Sequence, residues 1–280
     1  MSASSSLRPR SVIVTRLRAA GCVFAEDEAR LLISAARTSA DLAAMVDRRV
    51  AGVPLEHVLG WAEFCGLRIA VDPGVFVPRH RTEFLVRQAA LVLHANPAGH
   101  VVARPQAVVV DLCCGSGAVG VALVEALDRA ELHAVDIDPV AVRCARRNVT
   151  AVGGQVYEGD LYEPLPATLC GRVDVLVANA PYVPTEAIGL LPPEARIHEP
   201  RVALDGGADG LDVQRRVTAA APPWLAPGGC LLIETSKRQA PQTVEAFARS
   251  GLIPRVASSD ELDATVVIGT KPARAQNRAG

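Results

Sequence analysis

Between Ala107 and Gly120 the chain passes from the apolar run Ala-Val-Val-Val-Asp-Leu into Cys113-Cys114-Gly115-Ser116-Gly117-Ala118-Val119-Gly120. A run this rich in β-branched residues reads as a central parallel strand covered on both faces by helices. The glycines let the backbone turn tightly and approach a ligand before a helix opens, expected over Ala118 to Arg129. A second strand, Leu132 to Asp136, ends in a carboxylate, where nucleotide-binding α/β proteins hold ribose hydroxyls. Gly115 to Gly120 has the G-x-G-x-x-G spacing of dinucleotide sites, yet S-adenosylmethionine, with ribose and adenine but no phosphate, uses a similar loop. These residues alone leave both cofactor classes open.

A second apolar run, Val173 to Ala178, is followed by Asn179-Ala180-Pro181-Tyr182. Asn and Pro are ordinary turn residues. Placed at the carboxyl end of a buried strand, where open α/β sheets bind ligands, they add an amide and an aromatic face suited to holding a planar NH2 group. A dehydrogenase has no need of that pair, whereas a methyltransferase acting on nitrogen does. The expected cofactor is therefore S-adenosylmethionine.

The rest of the chain supports an α/β protein. Helical spacing is expected over Ser11 to Ala20, Ala25 to Ala36 and Ser39 to Ala51, and a hairpin over Trp61 to Phe64 and Leu67 to Val71. From Glu83 onward helices alternate with strands: Glu83 to His94, Pro139 to Val149, Gln155 to Glu158, Leu211 to Ala221, Cys230 to Thr235 and Thr243 to Ser250. Closing strands are expected near Arg255 to Ala257 and Ala264 to Gly269. This alternation makes a mostly parallel sheet with helices on both faces. The expected division is a disordered N-terminus (1–10), a helical N-terminal domain (11–53), a β-hairpin connector (54–81), a catalytic domain (82–271) and a disordered tail (272–280).

Composition narrows the function class. With 280 residues and 50% hydrophobic content the chain can build a large core, and a net charge of -1 gives no general attraction to nucleic acid or membrane. Seven cysteines with no C-x-x-C pair, and no signal peptide or long apolar span, point to the cytoplasm. Six histidines show no metal-ligand spacing, so no metal is expected. Cys113 and Cys114 read as small packing residues, and Asp209 and Asp212 as helix-capping residues. Glu234, ending a strand, is a candidate to face the acceptor pocket.

Several motifs in a fixed order resemble one family, the protein-(glutamine-N5) methyltransferases of peptide chain release factors, often called HemK or PrmC. The resemblance runs from about Pro54 to Lys271. It rests on Pro54-Leu55 with Leu59-Gly60 and Glu63-Phe64, Val77-Pro78-Arg79 with Thr82-Glu83, Asp111 to Gly117, Asp136, and Asn179 to Tyr182. Further on come Glu199-Pro200-Arg201, Gly206 to Leu211 and Glu234. It implies the class I S-adenosylmethionine-dependent methyltransferase fold, with a mostly parallel seven-stranded sheet. It also implies that Asp111, Gly115 and Gly117 surround the amino-acid part of the cofactor, Asp136 holds its ribose, and Asp160 with Leu161 borders its adenine. Asn179, beside the cofactor, and Ala180, Pro181 and Tyr182 would receive a glutamine side chain, that of Gly-Gly-Gln in a release factor.

Three departures from the family pattern suggest a divergent paralogue. Ala180 replaces a proline, Cys113-Cys114 a glycine and threonine, and His80-Arg81 a Pro-Glu pair. Other acceptors are a further protein, such as a ribosomal protein, or an exocyclic amine of RNA or DNA. The nucleic-acid reading is not favoured: it needs a basic surface, and with pI ≈ 6.6 only the tail, with Lys271, Arg274 and Arg278, is basic. A nonenzymatic cofactor-binding module would not need Asn179 and Tyr182.

Overall fold

A computed structural model describes residues 10–95, 106–127 and 130–273. The disordered ends expected from sequence fall almost wholly outside these residues, as does Arg129; the helix expected to reach it ends at Ala126, where Leu127 is already extended. Arg10, assigned to the disordered N-terminus, instead opens the first helix.

Helices α1 (Arg10–Ala19), α2 (Ala25–Ala35) and α3 (Ser39–Val50) bury Ile13, Leu17, Ala29, Leu32, Leu42 and Val46 in a common core. Thr38 caps α3, its hydroxyl accepting from the Asp41 amide at 3.1 Å. Arg49 of α3 forks onto Glu28 of α2, with Nε and Nη2 at 2.6 and 3.2 Å from the two carboxylate oxygens. A five-residue helix, α4 (Leu55–Leu59), occupies part of the expected connector. So short an element spans little more than one turn, too little for its period to register in the sequence.

The hairpin β1 (Trp61–Phe64) and β2 (Leu67–Ala70) pairs antiparallel. It is held to the main sheet by Asn148, which accepts from the Ala70 amide and donates to the carbonyls of Ala70 and Ser116 at 2.9 and 2.8 Å.

The seven-stranded sheet comprises β3 (Ala107–Leu112), β4 (Ala130–Asp136), β5 (Gln155–Glu158), β6 (Val173–Ala178), β7 (Leu225–Thr235), β8 (Ile253–Ser259) and β9 (Ala264–Thr270). Their order is β5-β4-β3-β6-β7-β9-β8, with β9 antiparallel to both of its neighbours and the other pairs parallel. Alternate residues of β3 serve opposite layers. Val109 packs with Leu85 of α5 (Glu83–Ala95) and Leu123 of α6 (Ala118–Ala126), while Val110 packs with Val217 of α9 (Asp212–Ala220) and Phe247 of α10 (Ala240–Arg249). Helix α7 (Pro139–Val149) joins the first layer through Ala145 and Val149. A further helix, α8 (Pro193–His198), lies where the sequence showed only a long loop.

Strand order reverses at β3, which has β4 on one side and β6 on the other. The carboxyl ends of β3, β4 and β6 therefore surround a crevice, the usual binding position in an open α/β sheet.

Candidate active site

A cavity of about 720 Å³ occupies that crevice. One end is lined by Cys113 to Ser116, Asp111, Asp136 and Asp160, the other by Asn179 to Tyr182 with Arg81 and Thr82.

At the first end the chain has brought four carboxylates together: Asp111, Asp136, Asp138 and Asp160. Asp111 is 2% exposed and its Oδ2 accepts only the Gly120 amide, at 2.9 Å, among the described hydrogen bonds. Burial pushes its pKa up to about 7; the Gly120 amide opposes that shift and the charge of Asp136 adds to it. Such a carboxylate is set to ionise against an arriving cation. Asp136 accepts the Gly115 amide on Oδ2 at 2.8 Å and the Asp138 amide on Oδ1 at 2.9 Å. Each oxygen retains a lone pair for a hydroxyl donor. Among the described residues lining this end the one cation is Arg216 of α9, tied to Asp160 Oδ2 at 2.6 Å. Carboxylates in this number repel a pyrophosphate and suit a ligand carrying an ammonium, a sulfonium and ribose hydroxyls. The donor set fits S-adenosylmethionine and decides between the two cofactor classes left open by the loop.

Gly115 lines this cavity, but Gly117 does not. Gly117 adopts a φ of 78°, and a Cβ there would stand 2.6 Å from Val149 Cγ2. Its glycine allows the close packing of α6 on α7. Cys113 sits at φ 56° and Leu161 at φ 52°, both strained for side-chain-bearing residues. The two strained positions flank the cofactor end of the site, where the loop is bent around the crevice.

At the other end, Asn179 follows the last residue of β6, and its Nδ2 lies 3.4 Å from Thr82 Oγ1. The Asn179–Tyr182 turn is held from behind. Gln239 Nε2 donates to the carbonyls of Tyr182 and Asp209 at 3.0 and 3.1 Å, and Val183 exchanges backbone hydrogen bonds with Leu204 and Gly206. A Cβ on Gly210, at φ 79°, would overlap the Tyr182 carbonyl oxygen. The glycine-rich segment Gly206 to Leu211 thus owes its composition to close backbone approach beneath the turn. Asp209 accepts the Leu211 amide near the start of α9, while Asp212 pairs with Arg215 and caps nothing.

The Tyr182 hydroxyl accepts from Arg81 Nη2 at 2.5 Å. Burial, with the charge of Glu234 behind it, pushes the phenol up to about 12, so it stays neutral. Arg81 Nε also lies 3.4 Å from Glu234 Oε1, a carboxylate only 2% exposed at the end of β7. Glu234 does meet the acceptor end, though from beneath Arg81 and Thr82 rather than as part of the wall. Arg81, read from sequence as a departure, and Gln239, which carried no signal at all, are the functional residues that sequence reasoning missed.

The Methyltransferase small domain model matches residues 68–252. The release factor glutamine methyltransferase of Geobacter sulfurreducens is 40% identical over 227 residues, which cover 80% of this chain and 75% of that protein. The 4-amino-L-phenylalanine/4-methylamino-L-phenylalanine methyltransferase of Streptomyces pristinaespiralis is 37% identical over 208 residues, 74% of this chain and 70% of that protein. Among solved structures, the T. thermophilus 16S rRNA N2 G1207 methyltransferase in complex with AdoMet and guanosine has a TM-score of 0.51 at 22% identity, covering 75% of this chain and 49% of that one. That likeness is one of fold.

Proposed function

The chain belongs to the release factor glutamine methyltransferase family, and from that membership we propose that it methylates the N5 nitrogen of the Gly-Gly-Gln glutamine in peptide chain release factors. The observation that carries this reading is one cavity with an acidic cofactor end and an amide-bearing acceptor end.

S-adenosylmethionine, when bound, would supply an electrophilic methyl carbon on a sulfonium, so that an N–C bond forms as the in-line C–S bond breaks and S-adenosylhomocysteine leaves as a neutral thioether. The proposed holders are Asp111 with the Gly115 loop for its amino-acid part, Asp136 for the ribose, and Asp160 with Leu161 beside the adenine. With Asp160 tied to Arg216, the adenine contact falls to the remaining lone pairs of that carboxylate and to the Leu161 backbone.

A glutamine nitrogen is a poor nucleophile because its lone pair is shared with the carbonyl, and its proton is too weakly acidic for a side-chain base to remove first. Orientation takes the place of a base. Asn179 Oδ1 and the Ala180 carbonyl accept the two N–H groups, which directs the lone pair along the reaction axis. Tyr182 covers the amide plane, its ring held by Arg81. Once the N–C bond has formed, the nitrogen is cationic and strongly acidic and loses one proton to solvent water, so no dedicated side-chain base is needed.

The protein partner is then a release factor, met in the cytoplasm; among the described residues no helix is long and apolar enough to cross a membrane. The proposed division of labour assigns residues 11–53 to docking the protein substrate, 54–81 to a connector and 82–271 to catalysis. One observation favours a second reading, an aromatic amine as acceptor: a relative of similar identity is named for 4-amino-L-phenylalanine. Incubation with labelled S-adenosylmethionine and release factors, followed by peptide mass spectrometry, separates the two. A methyl on the Gly-Gly-Gln glutamine supports the first; no transfer to release factor, with transfer to 4-amino-L-phenylalanine, overturns it.

A further inference from the structure

An asparagine amide has two unlike ends, one that accepts hydrogen bonds and one that donates them. The reaction needs the accepting end of Asn179 turned to the substrate, because an acceptor N–H facing the Nδ2 protons would be repelled. Something in the fold must choose between the two orientations, which differ by a rotation of the amide and fill the same space.

The choice is made at the cavity wall and just behind it. Thr82 is 2% exposed, and its Oγ1 is the atom facing the Asn179 amide, 3.4 Å from Nδ2. A hydroxyl could accept from Nδ2 or donate to Oδ1; which it does depends on where its single proton goes. Beside it stands Glu234, whose carboxyl interacts with the Thr82 hydroxyl and whose Oε2 is buried with no hydrogen-bond partner among the described residues. A buried carboxylate oxygen without a partner is costly to leave so, and an ionised carboxylate only accepts. The Thr82 hydroxyl, the group beside it, keeps its proton on Oγ1 and points it toward that carboxylate. Oγ1 is then left with lone pairs alone toward Asn179 and can meet only the Nδ2 end. Burial pushes the Glu234 carboxyl up; the Thr82 hydroxyl and the Arg81 guanidinium, 3.4 Å from Oε1, oppose that shift and favour the ionised form that this arrangement requires.

We propose that Thr82 and Glu234 are positioning residues that fix the Asn179 amide with Oδ1 toward the methyl acceptor. This rests on the acceptor role given above to Asn179.

The test compares Thr82→Val, which keeps shape and loses the hydroxyl, with Thr82→Ser, which keeps the hydroxyl, and with Glu234→Gln. On release factor, Thr82→Val and Glu234→Gln should lower kcat about 10- to 100-fold, with cofactor affinity within about twofold of the parent, while Thr82→Ser stays near it. In an Asn179→Ala background, Thr82→Val should cost nothing further. Equal loss in the serine and valine variants, or full additivity with Asn179→Ala, would overturn the proposal. A second readout needs no acceptor: the side-chain NH2 resonances of Asn179 in asparagine-labelled protein, identified by their loss in Asn179→Ala. They should shift and exchange faster in Thr82→Val and remain in place in Thr82→Ser; resonances indifferent to Thr82→Val would also overturn it. If release factor is not methylated at all but this pattern holds, the acceptor assignment fails and the positioning role stands.

Discussion

Asn179 is the residue on which the chemistry turns, because it supplies half of the hydrogen-bond pair that orients the acceptor. Asn179→Ala should lower kcat by about 10²- to 10³-fold, comparable with loss of a preorganised polar group at a reacting centre. Calorimetry should find cofactor binding retained, though weaker. At Cys113 the backbone is held at φ 56°, in the left-handed region that favours glycine. Cys113→Gly should relieve that strain and raise stability by about 1 kcal/mol in a urea titration. The cysteine looked from sequence like a neutral packing substitution; its cost lies in a backbone angle that no composition or spacing reveals. Asp111, Asp136 and Asn179 were legible because each ends a strand whose apolar run announces it.

Elements carry the site by holding one another. The glycine-rich segment after Tyr182 lies against the carbonyls of the acceptor turn, so Gly210→Ala should displace Tyr182 and lower kcat more than cofactor affinity; a kcat unchanged from the parent would show that the turn has room to shift. Helices α2 and α3 are joined by Arg49 and Glu28, whose side chains are 11% and 10% exposed. Arg49 also reaches Glu194 of α8, at the cavity rim, at 3.5 Å. Arg49→Met should cost about 3–5 kcal/mol in the unfolding free energy, since it leaves Glu28 buried without its counter-ion. Helices α1 to α3 and nearly every strand were readable from period. Helices α4 and α8 were not, being six residues or fewer, short of two full turns.

For the whole molecule, the buried acids of the crevice link stability to cofactor. Asp111 has its pKa raised to about 7, so between its unfolded value near 4 and that value the folded protein binds more protons than the unfolded chain. The cofactor-free protein should therefore lose stability as pH rises through this window, with the full cost present above about 7. Asp111→Asn should flatten the fall in the urea midpoint between pH 5 and pH 8. A cofactor ammonium beside Asp111 favours the ionised form, so its dissociation constant should tighten over the same range in the parent and not in the variant. The sequence by itself determined the strand and loop order, the glycine loop and the acceptor turn, because each is written in neighbouring residues as a period or a motif. Only the tertiary structure decided that Thr82 meets Asn179 across 97 residues, that Arg81 joins Tyr182 to Glu234, and that Gln239 supports the turn. Those contacts arise from strand order and from the packing of distant segments at the carboxyl end of the sheet, where single polar side chains have no local pattern to announce them.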